Sequence, residues 1–261
     1  MYIKESIENQ NISYVLLVGD REKIPVRYSY AGQIDGFKPF ISDLYYAGIY
    51  NKAGEFCSWD TNNNNKFGEL NKDEMIDELD LYPDVYIGRL PCSDMSEVTI
   101  VVNKIIEYEE STYGKEWFKD IILCGGDTYC SLALKILNLF IETKGFEGEL
   151  VCDEVKQIMS DFNPIKLYAS AILSLFGTTD KVFPSYDNIN KTINDGAGFV
   201  LFSGHGTHDA WMTNSPIFQN LLCSFTCYQS YLINELKNGD KLPIIFMDAC
   251  SCGDFSETTG I

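Results

Sequence analysis

Short, continuous apolar runs alternate with stretches of helical periodicity along the chain, and this alternation restricts the fold more than any other feature. The apolar runs are "YVLLVGD" (14–20), "DVYIGRLP" (84–91), "DIILCGGD" (120–127), "KLYAS" (166–170), "GFVLFSGHG" (198–206) and "LPIIFMDAC" (242–250). The helical stretches lie near 94–110, 131–144, 187–195 and 226–238. Apolar strands without polar alternation are typical of a parallel sheet that helices cover on both faces. The sequence therefore predicts an α/β fold.

The succession of strand and helix occurs twice, which predicts two α/β subdomains. In the first, Asp94 and Glu97 resemble an N-terminal cap of the 94–110 helix. In the second, Asp187 is the predicted cap of a short helix that Gly196 ends. The pattern restarts after about residue 112, so we place the subdomains at 1–115 and 116–261.

The chain is strongly acidic, and this limits the partners it can have. Its 20 basic and 38 acidic residues give a net charge of −18. A surface of this sign disfavours nucleic acids and anionic membranes, and it suits cations, basic peptides or simple solubility. No apolar run is long enough to span a membrane, and no signal peptide is visible at the start.

The nine cysteines do not form a regular disulfide framework. Most are scattered through apolar segments, so we expect reduced, small core residues there. These are Cys57, Cys92, Cys124, Cys130 and Cys152. Cys223 and Cys227 have metal-like spacing, but no histidine lies near them, which makes zinc the weaker interpretation.

Four polar or nucleophilic side chains stand where predicted strands end: Asp20, Asp127, His205 and Cys250. Ligands of parallel α/β sheets bind beyond the carboxyl ends of the strands. Because strands that are joined by one crossover are often neighbours, the ends at His205 and Cys250 are expected to meet. We therefore predict the functional site at this edge of the second subdomain.

His205 and Cys250 have the residue types of a nucleophilic dyad. Both histidines of the chain lie in "GHGTHDAW", and glycines flank His205 on either side. An exposed imidazole can generate a thiolate from a nearby cysteine. Cys252 is the rival nucleophile, although it lies in the following loop. A metal pair of His205 and His208 is a further alternative, and purely structural roles remain open.

The segment "DTNNNNKFGELN" (60–71) begins like a calcium-binding loop. Asp60, Asn62 and Asn64 occupy its first, third and fifth positions, where oxygen ligands are expected. Asn71 stands where a glutamate is usual, and Glu69 or Asp73 is the predicted substitute. A solvated, flexible turn is the alternative that four consecutive asparagines also suit.

Together these motifs resemble a known family. "GHGTHDAW" and "FMDACSCGDF" are similar to the histidine and cysteine motifs of the gingipain-type cysteine peptidases, which are relatives of caspases and legumains. "YVLLVGDREKIP", "SDLYYAGI" and "DLYPDVYIGRLP" are similar to the first half of the same family. The resemblance covers nearly the whole chain. It implies a small α/β subdomain followed by a caspase-like subdomain.

The resemblance also implies roles for individual residues. Cys250 would be the nucleophile and His205 the general acid and base. The backbone N–H groups of Gly206 and Cys250 would form the oxyanion hole. Asp127 would orient the imidazole. Family members are also expected to bind structural calcium and to be secreted or held at the cell surface as part of a longer precursor.

The sequence departs from the family pattern in two respects. It ends eleven residues after Cys250, whereas the family continues, so we expect further strands and one wall of the specificity pocket to be missing here. The acidic residue that selects a basic P1 side chain in some members has no clear counterpart. Its unranked candidates are Asp127, Glu147, Glu149 and Asp209. His208 and Asp209 are predicted to be loop residues at the rim of the cleft. Asp209 and Trp211 are the candidates for substrate contact, with Trp211 either a wall of the pocket or merely a packing residue.

These features predict a cysteine endopeptidase that acts on peptides or proteins through a thioester acyl-enzyme. The chemistry itself requires no cofactor, and calcium is expected only in a structural role. The first alternative is a transpeptidase of the same family, in which an amine replaces water. The second is a catalytically silent binding module on the caspase-like scaffold. A metallo-hydrolase that uses the histidines and the asparagine-rich loop is a distant third.

Overall fold

The structure is a computed structural model that describes residues 2–31, 39–71, 74–127, 146–173, 180–214 and 225–255. Within these residues the contacts separate two compact units. The first extends to Val102 and includes 254–255, and the second covers 103–253. This division falls inside a helix, and the subdomain boundary at 115/116 stays a prediction.

In the described residues, the first unit contains six strands, two whole helices and the first part of a third. The strands are β1 (Tyr14–Val18), β2 (Arg27–Ala31), β3 (Phe40–Ser42), β4 (Phe67–Asn71), β5 (Glu74–Met75) and β6 (Tyr86–Leu90). The helices are α1 (Tyr2–Gln10), α2 (Leu44–Ala47) and α3 (Met95–Ser111). Strands β1 and β6 form a parallel pair, and a separate four-stranded sheet has the order β3-β2-β4-β5.

Arg89 is the main polar anchor of the first unit. Its Nε and Nη2 donate to the two carboxylate oxygens of Asp43, each at 2.7 Å. Its Nη1 donates to the carbonyl oxygens of Gly19 (2.8 Å) and Ile24 (3.1 Å). The side chain is only 4% exposed. These bonds tie the end of β6 to the loop that follows β1, since a buried guanidinium must have its donors satisfied.

The described residues of the second unit form eight strands and two whole helices, and they include the last part of α3. The strands are β7 (Asp120–Gly125), β8 (Asn163–Tyr168), β9 (Lys181–Val182), β10 (Phe199–Ser203), β11 (His205–Thr207), β12 (Ala210–Thr213), β13 (Phe225–Gln229) and β14 (Ile244–Asp248). The helices are α4 (Glu147–Ile158) and α5 (Tyr186–Asp195). Short 3₁₀ helices occupy Glu116–Lys119, Ala169–Leu173 and Ser230–Glu235.

A five-stranded sheet with the order β14-β10-β7-β8-β9 forms the centre of the second unit, and every pair in it is parallel. Helix α4 covers one face through an apolar cluster that includes Leu123, Cys152 and Leu201. Helix α5 covers the other face, where Ile189 packs with Val200. The predicted parallel sheet with helices on both faces is therefore confirmed.

Side-chain alternation explains this layering. Successive residues of a strand point to opposite faces of the sheet. In β10, Leu201 accordingly belongs to the cluster under α4, whereas Val200 and Phe202 belong to the cluster under α5. Because both faces are buried, the strand needs apolar residues at every position, and "FVLF" supplies them.

Some sequence predictions differ from the structure. The stretch 226–238 was predicted to be helical, but it contains β13 and a 3₁₀ helix, so that prediction is wrong. Helix α4 was not predicted at all. The cap of α5 is Ser185, whose Oγ accepts from the backbone N–H of Asn188 at 3.4 Å, and not Asp187. The predicted helix near 131–144 lies outside the described residues.

The structure also bears on the expectations that most cysteines are reduced core residues and that no segment spans a membrane. All seven cysteines in the described ranges are free, and Cys57, Cys92, Cys124 and Cys152 are buried as predicted. Cys130 and Cys223 lie outside those ranges. In the part of the chain that the structure describes, no helix is both long and apolar enough to cross a membrane.

Candidate active site

The carboxyl ends of β7, β10 and β14 meet at one edge of the five-stranded sheet. The register aligns Gly125 of β7 with Ser203 of β10, and Ser203 in turn with Asp248 of β14. Asp127, His205 and Cys250 each follow two residues after these aligned positions. Asp127, His205 and Cys250, which were predicted to lie at strand ends, therefore follow three neighbouring strands of one sheet.

His205 begins a β-hairpin directly beyond the end of β10. Strand β11 pairs antiparallel with β12, so that His205 lies opposite Met212 and Gly206 lies opposite Trp211. His208 and Asp209 form the turn, and His208 is exposed. His205 itself is half-buried. A hairpin holds an imidazole in a more defined position than a free loop does, because paired backbone groups fix its strand.

Gly206 lies directly against the turn that carries Cys250. A Cβ atom at this position would collide with the carbonyl oxygen of Cys250, and it would lie 2.6 Å from Sγ of Cys252. Only a residue without a side chain permits this approach. Because Gly206 has no side chain, the backbone that follows His205 can contact the backbone of Cys250.

The two cysteines of the C-x-C motif differ in accessibility. Cys250 is exposed, whereas Cys252 is only 4% exposed. Cys252 Sγ donates to the carbonyl oxygen of Thr207 at 3.5 Å, beneath the hairpin. Burial, and to a smaller extent the neighbouring Cys250, raises the pKa of the Cys252 thiol. Since the thiolate is the nucleophile, these differences favour Cys250 over its rival.

A left-handed residue separates these two cysteines. Ser251 has a φ of 60°, a conformation that is uncommon for residues other than glycine. The sharp change of direction turns Cys252 under the hairpin while Cys250 stays exposed. Such backbone outliers concentrate at functional sites.

Asp127 is held by the strand that pairs with the histidine strand. Its backbone N–H donates to Oγ1 of Thr213 at 2.7 Å, and its carbonyl oxygen accepts from the N–H of Asn214 at 2.9 Å. The residue is 1% exposed. This places Asp127 at the edge that carries His205, while its role as the orienter of the imidazole stays a prediction.

Glu149 is already committed to interactions within the protein. Its carboxylate accepts from the N–H and Oγ of Ser170, at 2.7 and 2.8 Å, and from Nζ of Lys181 at 3.2 Å. Burial raises its pKa, although Ser170 and Lys181 oppose this shift. A carboxylate with these partners has little capacity left for a substrate cation. Glu149 is therefore a poor candidate for the residue that selects a basic P1 side chain.

The two residues predicted to contact substrate occupy different positions. Trp211 is wholly buried and packs against Phe202 and Tyr228 in the core beneath the hairpin. It has no exposed surface that a substrate could touch, so its role in the described residues is packing and not the predicted substrate contact. Asp209 lies in the hairpin turn and accepts from Oγ1 of Thr207 at 2.8 Å. Its predicted substrate contact stays a prediction.

The asparagine-rich segment forms a compact turn in which the four predicted calcium ligands cluster. Asp60 Oδ1 and Asn62 Oδ1 both accept from the N–H of Asn64, at 2.9 and 3.0 Å. The amide of Asn64 donates to Oε2 of Glu69 at 2.8 Å, and that of Asn62 does so at 3.5 Å. Asn63 and Asn65 take left-handed φ values of 58° and 62°.

These contacts test how well the loop fits a cation. Among the described residues, no group of three or more His, Cys, Asp or Glu side chains could hold a metal. A calcium site here would instead require the asparagine oxygens together with Asp60 and Glu69, because calcium accepts amide as well as carboxylate oxygens. Rotation of the Asn62 and Asn64 amides would present those oxygens. Calcium at this loop stays a prediction.

We expect millimolar calcium to raise the melting temperature by several degrees if the loop binds it, since a ligand that binds only the folded state stabilises it. Differential scanning fluorimetry with calcium and with equal magnesium measures the shift. Glu69→Gln should abolish the calcium effect, whereas Glu55→Gln, an exposed change in the same unit, should preserve it. An equal shift in both variants, or none in the parent protein, would contradict a site at this loop.

Two polar residues of the site were not identified from the sequence. Ser203 ends β10 and Asp248 ends β14, and Ser203 Oγ donates to Oδ2 of Asp248 at 2.8 Å. One sequence pattern could have identified them. In both "SGH" and "DAC", a polar residue stands two positions before the candidate catalytic side chain.

Comparison with known proteins places these features in a wider context. A model of peptidase family C25 matches residues 1–261. Gingipain R2 of Porphyromonas gingivalis is 24% identical over 262 residues, which cover 97% of this chain and 26% of that protein. An uncharacterized protein of Archaeoglobus fulgidus is 23% identical over 95% of this chain and 49% of its own length.

A solved structure resembles the fold. The crystal structure of the Arg-specific cysteine proteinase gingipain R superposes with a TM-score of 0.58 at 20% identity, over 98% of this chain and 45% of that one. The chain thus spans less than half the length of each of these relatives. At this identity the superposition supports the fold alone.

Proposed function

The chain belongs to peptidase family C25, and from this premise we propose that it is a cysteine endopeptidase with Cys250 as nucleophile and His205 as general acid and base. The observation that carries the proposal is the close approach of Gly206 to the carbonyl oxygen of Cys250. It brings the backbone that follows the imidazole against the backbone of a residue whose thiol is exposed, and a Cys–His dyad requires such proximity.

In the first step the thiolate of Cys250 attacks the carbonyl carbon of the scissile peptide bond. A carbon–sulfur bond forms, and the negative charge moves to the carbonyl oxygen. The backbone N–H groups of Gly206 and Cys250 would stabilise this oxyanion. The imidazolium of His205 then gives its proton to the leaving nitrogen, the carbon–nitrogen bond breaks, and a thioester remains on the enzyme.

In the second step a water molecule replaces the departed amine. His205 removes a proton from the water as it attacks the thioester carbonyl, which re-forms the oxyanion. Collapse of this intermediate expels the Cys250 thiolate and releases a peptide with a new carboxylate. The half-buried position of His205 is consistent with a group that must contact substrate and solvent in turn.

For specificity, we propose a preference for basic residues at P1. The structurally similar gingipain R is described as Arg-specific, and the net charge of −18 favours approach of cationic peptides. With Glu149 engaged by Lys181 and Asp127 only 1% exposed, the remaining candidates for the charged wall of the pocket are Glu147 and Asp209. Secretion or surface display as part of a longer precursor is a proposal that rests on the family resemblance.

Product analysis tests the proposed reaction. The full chain, with calcium present, is incubated with a peptide pool that varies at P1, with and without an added amine such as glycine amide. We expect cleaved peptides with free carboxylates, mainly after arginine or lysine. Products capped by the amine would instead assign transpeptidation. If the pool stays intact under all conditions, the catalytic proposal fails in favour of a silent binding module.

A further inference from the structure

Ser203 connects the ends of all three strands that carry the candidate catalytic residues. Its carbonyl oxygen accepts from the N–H of Gly126, after β7, at 2.8 Å. Its Oγ donates to Oδ2 of Asp248, at the end of β14, at 2.8 Å. The next N–H along β10, that of Gly204, donates to the carbonyl oxygen of Asp248 at 3.1 Å.

The Ser203–Asp248 bond joins two strands at corresponding points. Ser203 is paired with Asp248 in the register of the sheet. His205 and Cys250 each lie two residues further along the chain. Beyond this point the two segments leave the sheet, because Gly204 makes the last backbone hydrogen bond between them that the described residues show. The Ser203–Asp248 bond therefore lies at the last paired position before His205 and Cys250, where a shift of either strand would change the distance between their side chains.

We propose that Ser203 and Asp248 form a positioning pair that sets the separation of the His205 imidazole and the Cys250 thiol. The inference rests on the proposed function. Neither residue needs to contact substrate, so they act through the backbones that follow them. A hydroxyl that donates to a carboxylate makes one of the stronger protein hydrogen bonds. The serine is 3% exposed and Asp248 is exposed, so the hydroxyl is shielded from water while the carboxylate keeps contact with solvent.

Neighbouring packing supports the same interpretation. A Cβ atom at Gly148, at the start of α4, would collide with the carbonyl oxygen of Ser203. One at Gly126 would lie 3.1 Å from the same oxygen. The backbone of Ser203 is thus enclosed from two sides, which leaves its side chain as the adjustable link to β14. Small displacements of catalytic groups cost rate steeply, so such a link has a measurable consequence.

The kinetic test uses three single variants and one double variant. We expect Ser203→Ala and Asp248→Ala each to lower kcat by about 10- to 100-fold with little change in KM. The double variant should be no worse than either single variant, because both remove the same bond. Asp248→Asn keeps an oxygen that accepts from the serine hydroxyl, so it should restore most of the rate. The proposal is overturned if the losses of kcat in the two alanine variants multiply in the double variant, or if Asp248→Asn does not restore the rate.

A matched inter-strand bond at the opposite edge serves as the control. Asn163 Nδ2 donates to Oδ1 of Asp120 at 3.0 Å, and these residues are paired at the amino ends of β8 and β7. Asn163→Ala should cost a similar free energy of unfolding to Ser203→Ala but leave kcat near that of the parent protein. If the two variants lose kcat equally, the role of Ser203 is merely structural and the inference fails.

Thiol reactivity separates failure of the inference from failure of the proposed function. The rate of Cys250 alkylation by iodoacetamide is measured across pH in the parent protein, in Ser203→Ala and in His205→Ala. We expect His205 to accelerate alkylation near neutral pH, and Ser203→Ala to lose most of that acceleration. Acceleration that persists in Ser203→Ala sinks the positioning pair alone. A parent protein no faster than His205→Ala rejects the dyad, and the pair with it.

Discussion

Cys250→Ala is expected to lower kcat for peptide hydrolysis on the order of 10⁶-fold, the scale seen when the nucleophile of a hydrolase is removed. No other described thiol stands in its place, because Cys252 is buried beneath the hairpin. The fold should be unaffected, since Cys250 is exposed and an alanine fits its position. Progress curves with a fluorogenic peptide, together with the melting temperature, measure both effects.

The matched control is Cys252→Ala. It removes the donor to the carbonyl oxygen of Thr207, so it should lower stability modestly while most of the activity remains. The reverse result, with activity lost in Cys252→Ala and kept in Cys250→Ala, would move the nucleophile by two positions. It would also contradict the interpretation of exposure and pKa at this motif.

Gly206→Ala is expected to lower kcat by about 10²- to 10³-fold, as does loss of one oxyanion donor. The added methyl would collide with the carbonyl oxygen of Cys250 and lie 2.9 Å from Cβ of Ala249. Because one of these neighbours is backbone, a side-chain rotation cannot relieve the collision. The hairpin must move away from the cysteine turn, which displaces His205 and a proposed oxyanion donor together. Steady-state kinetics measure the loss.

Gly253→Ala controls for a methyl added in the same region. An added Cβ at Gly253 meets no atom within 4 Å, so this variant should retain the parent kcat. Circular dichroism of both variants should show the parent fold. If Gly206→Ala keeps full activity, the close approach of the two backbones has no catalytic consequence, and the observation that carries the proposed function loses its force.

The location of His205 and Cys250 at one edge of the sheet could be predicted because it depends on rules that act at strand ends. The runs "FVLF" and "IIFM" mark strands that are buried on both faces, and their polar successors must then lie at one edge of the sheet. Adjacency of β10 and β14 was expected because a single crossover was predicted between them, and it is confirmed by their register. The location of His205 and Cys250 needed no information beyond these patterns, whereas their proposed roles also rest on the family resemblance.

The connection itself could not be predicted. The residues "FTCYQ" form β13 because β12 provides a pairing edge, and Trp211 lies opposite Tyr228 in that pairing. Strand preference is set largely by such partners and only weakly by local sequence. The same limit applies to α4, which begins at Glu147, just beyond the stretch near 131–144 that was predicted to be helical. Its amino end packs on Gly125 and Gly126, a contact that no local pattern reveals.

The contacts that individual side chains make could also not be predicted from the sequence. Glu149 and Trp211 were both candidates for substrate contacts, because acidic and aromatic residues near a cleft often bind ligands. The structure instead gives Glu149 a partner in Lys181, 32 residues further along the chain, and it buries Trp211 against Phe202. Long-range contacts decide such roles. The Ser203–Asp248 bond, which spans 45 residues, is another example.

The central claim is that Cys250 is a nucleophile activated by His205, and an irreversible peptidyl thiol probe with a basic P1 residue tests it most directly. The full chain is treated with the probe in the presence of calcium, and the modified residue is identified by mass spectrometry. We predict labelling at Cys250 that is lost in His205→Ala and retained in His208→Ala. Absence of labelling, labelling at Cys252, or undiminished labelling in His205→Ala would contradict the account.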